Sequence, residues 1–110
     1  MLSIELAIAN ASGLHARPAA LFVRTAAAFR SDVRVRNLGR SVPPVDAKSI
    51  LGVLGLGVGR GAVIEVTAEG EDESEALTAL RLLVESGIGE GGPGTTGAST
   101  GEKAVLAADS

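Results

Sequence analysis

The apolar residues of this chain change period along its length, and that change decides what it can build. Leu2, Ile4, Leu6 and Ile8 recur every second residue, the spacing of a half-buried strand over about residues 2–9. Asn10-Ala11-Ser12-Gly13 interrupts it as a turn. From Ala16 the spacing becomes helical, with Ala19, Phe22, Val23, Ala26 and Phe29 on one stripe. Pro18 suits the first turn of that helix, where a missing amide removes no bond. The spacing predicts a helix over about residues 16–29.

The alternation then returns. Val33 and Val35 alternate with Asp32, Arg34 and Arg36 as a second strand, and Asn37-Leu38-Gly39-Arg40 reads as a hairpin turn. Ser41 to Asp46 is a short third strand; Pro43-Pro44 cannot donate to a ladder, so it is expected at an edge or a bulge. Lys48 to Leu54 reads as a short helix, and the glycines at 55, 57, 59 and 61 as a flexible connection into a fourth strand over Ala62–Glu69. These glycines do not form G-x-G-x-x-G, and no Gly-Lys-Ser/Thr follows, so a nucleotide loop is not indicated. Ala76, Leu77, Leu80, Leu83 and Val84 form the clearest helical stripe. Asp72 and Glu75 resemble a capping box at its start, and Gly87 a cap at its end.

The order is β-α-β-β-α-β-α. Strands with one wet and one dry face imply an α+β open-faced β-sandwich, a four-stranded antiparallel sheet with three helices on one face. This domain spans residues 1–88. Residues 89–110 hold six glycines with no sustained periodicity and read as a flexible Gly/Thr/Ser-rich tail.

Composition narrows the chemistry. The chain has 110 residues and is 45% hydrophobic, enough for a core, but Phe22 and Phe29 are its only aromatics. The core must be aliphatic, and the stacking platforms that bind single strands are excluded. Without cysteine there is no disulfide or zinc–thiolate site, and one histidine builds no polyhistidine metal site. No stretch approaches a membrane span, and the N-terminus lacks the basic region of a signal peptide; a soluble cytoplasmic protein, with no membrane insertion, is expected. Residues 1–60 carry eight basic against three acidic residues, and residues 61–110 carry two against ten. Such asymmetry fits a fold that brings the halves together, a basic face for an acidic partner, or nucleic acid. Missing aromatics and a pI near 5.1 weigh against nucleic acid.

The single histidine lies where a turn meets a helix, in Gly13-Leu14-His15-Ala16-Arg17-Pro18. The first amides of a helix have no internal partner and sit at its positive end, which suits an anion. A second cation is disfavoured there, leaving a ring nitrogen of His15 free to attack. Arg17 offers a fork for phosphate oxygens, Ser12 can cap the helix, and Ala16 contributes to the nest of amides. A nucleophile, amides and a guanidinium suit the acceptance and release of a phosphoryl group. From the bare residues alone, a surface histidine with no special task is the more usual reading of a lone histidine near a helix start.

Gly13-Leu14-His15-Ala16-Arg17-Pro18-Ala19 resembles the active-site signature of the HPr family, the histidine-containing phosphocarriers of the phosphoenolpyruvate-dependent sugar phosphotransferase system. Ala47-Lys48-Ser49-Ile50-Leu51-Gly52-Val53-Leu54 resembles its second signature, and Ala76 to Glu90 its last helix. The resemblance implies that enzyme I phosphorylates Nδ1 of His15, that Arg17 steadies the phosphate, and that the group passes to a sugar-specific enzyme II A unit. No metal or organic cofactor is implied. It also implies phosphorylation of Ser49 by an HPr kinase/phosphorylase and action on a transcription regulator. The neighbours Ile50, Leu51, Val53 and Leu54 give an apolar patch, divided between core and an exposed remainder that would be a docking surface for a partner. From the residues alone, Ser49 is a helix N-cap. Other branches of the family, serving nitrogen regulation or dihydroxyacetone, stay open, as does a module acting mainly through Ser49. Pro43-Pro44 adds residues before the second signature, and Asp46 stands where asparagine is common in the family.

Overall fold

A computed structural model describes residues 1–88; the expected tail, 89–110, lies outside them. The elements are β1 (Leu2–Ala7), α1 (Ala16–Ala27), β2 (Asp32–Asn37), β3 (Val45–Asp46), α2 (Ile50–Gly55), β4 (Val63–Glu69) and α3 (Glu73–Glu85). The strands form one antiparallel sheet in the order β1-β4-β2-β3. The β-α-β-β-α-β-α order and open-faced architecture are therefore as the periodicities predict.

Register explains which face is dry. Leu6 lies opposite Ile64, Ile4 opposite Val66, Val35 opposite Val66 and Val33 opposite Ala68. With the period of two, these side chains share one face, where Phe22 and Ala26 of α1 and Leu77, Leu80 and Val84 of α3 complete the core. The opposite face is polar. Ser3 and Thr67 hydroxyls bond at 2.9 Å, and Arg36 Nε donates to Glu65 Oε1 at 2.9 Å. Arg36 and Glu65 come from the basic and the acidic parts of the chain, as do Arg30 and Glu71, 4.0 Å apart. The fold thus brings the two charge-biased parts together.

The third strand is shorter than the sequence suggests. Only Val45 and Asp46 pair with β2, at the sheet edge. Pro43 and Pro44 carry no amide hydrogen, so pairing starts after them. Asn37 belongs to the end of β2 as well as to the turn, which closes with an Arg40 N–H bond to Asn37 O at 3.1 Å.

The start of α3 also differs. Asp72 holds the N-cap position but makes no capping bond with its side chain. Its carboxylate reaches the α1–β2 turn instead, accepting from the Ser31 hydroxyl and from the amides of Arg30 and Ser31, the latter two at 2.9 Å. Glu73, not Glu75, reaches back, accepting from Gly70 N at 3.1 Å. The end of α3 is as expected. Gly87, at φ 89, and buried Ile88 donate to Val84 O and Leu83 O, a Schellman closure.

The Ser31 hydroxyl, then the Arg30 amide, hold the Asp72 carboxyl down at about 2, against an ordinary 3.8, with desolvation opposing. A carboxyl lowered by folding contributes stability that is intact above its unfolded value and lost as pH falls through its folded one. The Tm difference between the parent and Asp72→Asn should therefore hold steady above about pH 4 and shrink towards pH 2. A difference constant over that window, followed by calorimetry, would refute the clasp.

Candidate functional site

His15, Ala16 and Arg17 are all exposed at the start of α1. His15 is the N-cap residue, extended at φ −133 and ψ 161, with no side-chain capping bond. The cap position falls to His15 rather than Ser12, which lies three residues earlier in the turn. The first helical bond runs from Ala19 N to His15 O at 3.4 Å. The amides of Ala16 and Arg17 precede it and have no carbonyl one turn back. Pro18 supplies no amide, so the nest at this helix start is smaller than for an ordinary sequence. No acidic residue sits in the first turn to neutralise it.

Ala16 has φ 50. For a residue with a Cβ this left-handed conformation costs about 1–2 kcal/mol. It lets the chain turn sharply from extended His15 into the helix, so the ring stands beside the helix start. Arg17 makes no ion pair among the described residues and is open to solvent. Arg24 lies two turns along the same face of α1 and is likewise exposed and without an ion pair among the described residues. An imidazole, a guanidinium and the first amides of a helix thus meet at one surface. They can receive an anion and neutralise charge as it shifts between atoms. Among the described residues no group of three or more acidic or histidine side chains could hold a metal ion. None of their helices is long and apolar enough to cross a membrane.

The turn leans on a second loop. Leu14 is fully buried, and its amide donates to Val58 O at 2.9 Å. Gly13, at φ 64, packs so closely that a Cβ there would stand 2.3 Å from Val58 O. The glycine-rich connection read as a flexible link is therefore anchored at two points, since Leu56 and Val58 are buried in the core.

Ser49 is the N-cap of α2, its Oγ accepting from Gly52 N at 3.1 Å. Asp46 shapes the approach by accepting from Lys48 N at 2.9 Å, and Lys48 Nζ donates to Phe29 O at the end of α1. Beyond Ser49, Leu51 is 79% exposed, Ile50 39% and Leu54 37%. Val53 does not belong with them. It is 0% exposed, because its place in α2 turns it to the core, so it cannot face a partner. Helices α1 and α2 touch, which puts the His15 and Ser49 helices side by side. Asn37 and its neighbours at the anchored loop were not singled out by sequence. The signal was present, since Val33, Val35 and Asn37 share one parity and hence the buried face.

Comparison with known proteins agrees with this architecture. The family described as the PTS HPr component phosphorylation site matches residues 2–86. The crystal structure of HPr-C-His from Thermoanaerobacter tengcongensis is 49% identical, with a TM-score of 0.76 over 82% of this chain and 98% of that one. The phosphocarrier protein HPr from Bacillus anthracis is 41% identical, with a TM-score of 0.69 over 76% of this chain and 95% of that one. The multiphosphoryl transfer protein of Salmonella typhimurium is 40% identical over 91 residues, 83% of this chain. This chain spans about a quarter (24%) of that relative's length. The architecture is that of a small phosphoryl-carrier domain. The chain belongs to the HPr family of the phosphotransferase system.

Proposed function

We propose that this chain accepts a phosphoryl group from enzyme I on His15 and passes it to a sugar-specific enzyme II A unit. The observation that carries this reading is the exposed imidazole at the N-cap of α1, beside the first amides of the helix and an exposed Arg17 guanidinium that makes no ion pair among the described residues. The Nδ1 lone pair attacks phosphorus, the bond from phosphorus to the donor breaks, and its electron pair returns to the donor. The reverse exchange hands the group on. Little covalent work falls to the protein; position and charge neutralisation supply the catalysis. Arg17 steadies the phosphoryl oxygens, and with Arg24 it offers a basic stripe to an acidic partner. No cofactor takes part on this chain.

Ser49 is proposed as a regulatory phosphorylation site for an HPr kinase/phosphorylase. Its hydroxyl already meets Gly52 N, and phosphate oxygens would accept the same bond, so the modification leaves α2 folded. The added charge alters docking at the neighbouring Ile50, Leu51 and Leu54, and so the choice of partner. Labelled phosphoenolpyruvate with enzyme I should give an acid-labile label on the parent. Labelled ATP with the kinase should give an acid-stable label that Ser49→Ala lacks. An acid-stable label alone, with no transfer from enzyme I, would favour a regulatory module over a carrier.

A further inference from the structure

The turn that presents His15 is closed by Asn10, whose Nδ2 donates to Gly13 O at 3.0 Å and whose carbonyl accepts from Gly13 N at 3.2 Å, and it is seated on the rest of the fold through a second loop. Ala11, Ser12, His15, Ala16 and Arg17 are exposed, and the turn is fixed through Leu14 and Gly13 against the Val58–Gly59 backbone. Where the imidazole sits on the fold therefore depends also on the loop after α2, which takes the Leu14 amide at Val58 O. At Gly57, where φ is 65, that loop bonds back only to the end of α2, through Gly57 N to Leu54 O at 3.4 Å.

Two side chains from the β2–β3 turn hold it. Asn37 Nδ2 donates to Leu56 O at 3.1 Å, and Arg40 Nη1 donates to the same oxygen at 3.4 Å. Asn37 is 4% exposed, and its Oδ1 accepts from Gly39 N at 2.9 Å, so its amide has one orientation. Arg40 crosses so near Gly57 that a Cβ there would stand 2.5 Å from Nη1. A continuous set of contacts thus runs from Asn37 through Leu56 and Val58 to Leu14, next to His15.

We propose that Asn37, with Arg40 as the weaker partner, is a positioning residue for phosphoryl transfer, fixing the Leu56 carbonyl and so the loop from which the His15 turn hangs. The proposal rests on His15 being the acceptor. It extends the site to a buried amide that touches neither the phosphate nor a partner. Misplacing a reacting group by an ångström slows a reaction far more than it weakens binding.

Asn37→Asp keeps the size and the acceptor towards Gly39 but removes the donor towards Leu56 O. Transfer from phosphorylated enzyme I is measured in single turnover, well below the unfolding temperature. The saturating rate should fall roughly tenfold, with the half-saturating concentration unchanged. Hydrogen exchange of the Leu14 amide should quicken relative to that of Val66. Arg40→Met should move both readouts the same way by less, and Arg40→Lys should recover them. A labelled parent with an unchanged Asn37→Asp rate, whatever happens to Tm, overturns the proposal and leaves the carrier reading intact. A parent that takes no label overturns both. Where Asn37→Asp does not fold, equal rates for Arg40→Met and the parent overturn it.

Discussion

His15→Ala, given phosphoenolpyruvate and enzyme I, should carry no acid-labile label while unfolding at nearly the denaturant concentration of the parent. The two halves of this outcome have separate causes. The chain has one histidine, so a phosphohistidine on it has only one place to form. The ring is exposed and makes no capping bond, so its removal takes away no contact that α1 needs. Alanine is a poor N-cap residue, but the penalty for losing a cap, about 1 kcal/mol, applies where a side-chain bond is lost. Here none is, and a surface change of this kind alters stability by roughly 0.5 kcal/mol or less. Gel autoradiography before and after acid treatment, beside a denaturation curve, reads both halves. Acid-labile label surviving on His15→Ala would remove His15 from the proposal. A collapse of stability would mean that the ring is structural.

How much of this was legible beforehand depends on the range of the cause. β1 and α1 were legible because their apolar residues repeat within a few positions, and that repeat decides which face is buried. The Gly87 cap was legible for the same reason: it needs a positive φ at one residue next to a helical stripe. Val53 shows the limit. The run Ile50-Leu51-Gly52-Val53-Leu54 is apolar nearly throughout, so its short helix has no polar face from which to read direction. Only the packing of α2 against α1 and β3 sends Val53 inwards and leaves Leu51 outside. Asp72 shows another. Its local pattern fits a cap, yet the amides of Arg30 and Ser31, about forty residues away in sequence, take its carboxylate. The candidate site divides similarly. His15 and Arg17 lie within one local motif, whereas the support from Val58, Leu56 and Asn37 exists only once β2 and β4 pair and the loops meet.

The same long-range support predicts unequal fates for two glycines that touch each other. Gly13→Ala should destabilise the protein by roughly 2–4 kcal/mol, from the left-handed backbone and from forced overpacking. At φ 64 its new Cβ would stand 2.3 Å from Val58 O and 2.7 Å from Gly59 Cα, both backbone atoms that cannot rotate aside. Restricting the unfolded chain returns at most about 1 kcal/mol, so the clash wins. Gly59→Ala should go the other way, leaving stability unchanged or raising it by up to about 1 kcal/mol. A Cβ at Gly59 meets nothing within 4 Å, and its φ is not in the left-handed range. Urea denaturation of both variants gives the contrast directly. Gly13→Ala should also slow phosphoryl transfer among molecules that remain folded, because the loops separate where the Leu14 amide meets Val58 O. Equal stabilities for the two variants would mean that the loops are not in contact, and the support proposed for the His15 turn would fall with that contact.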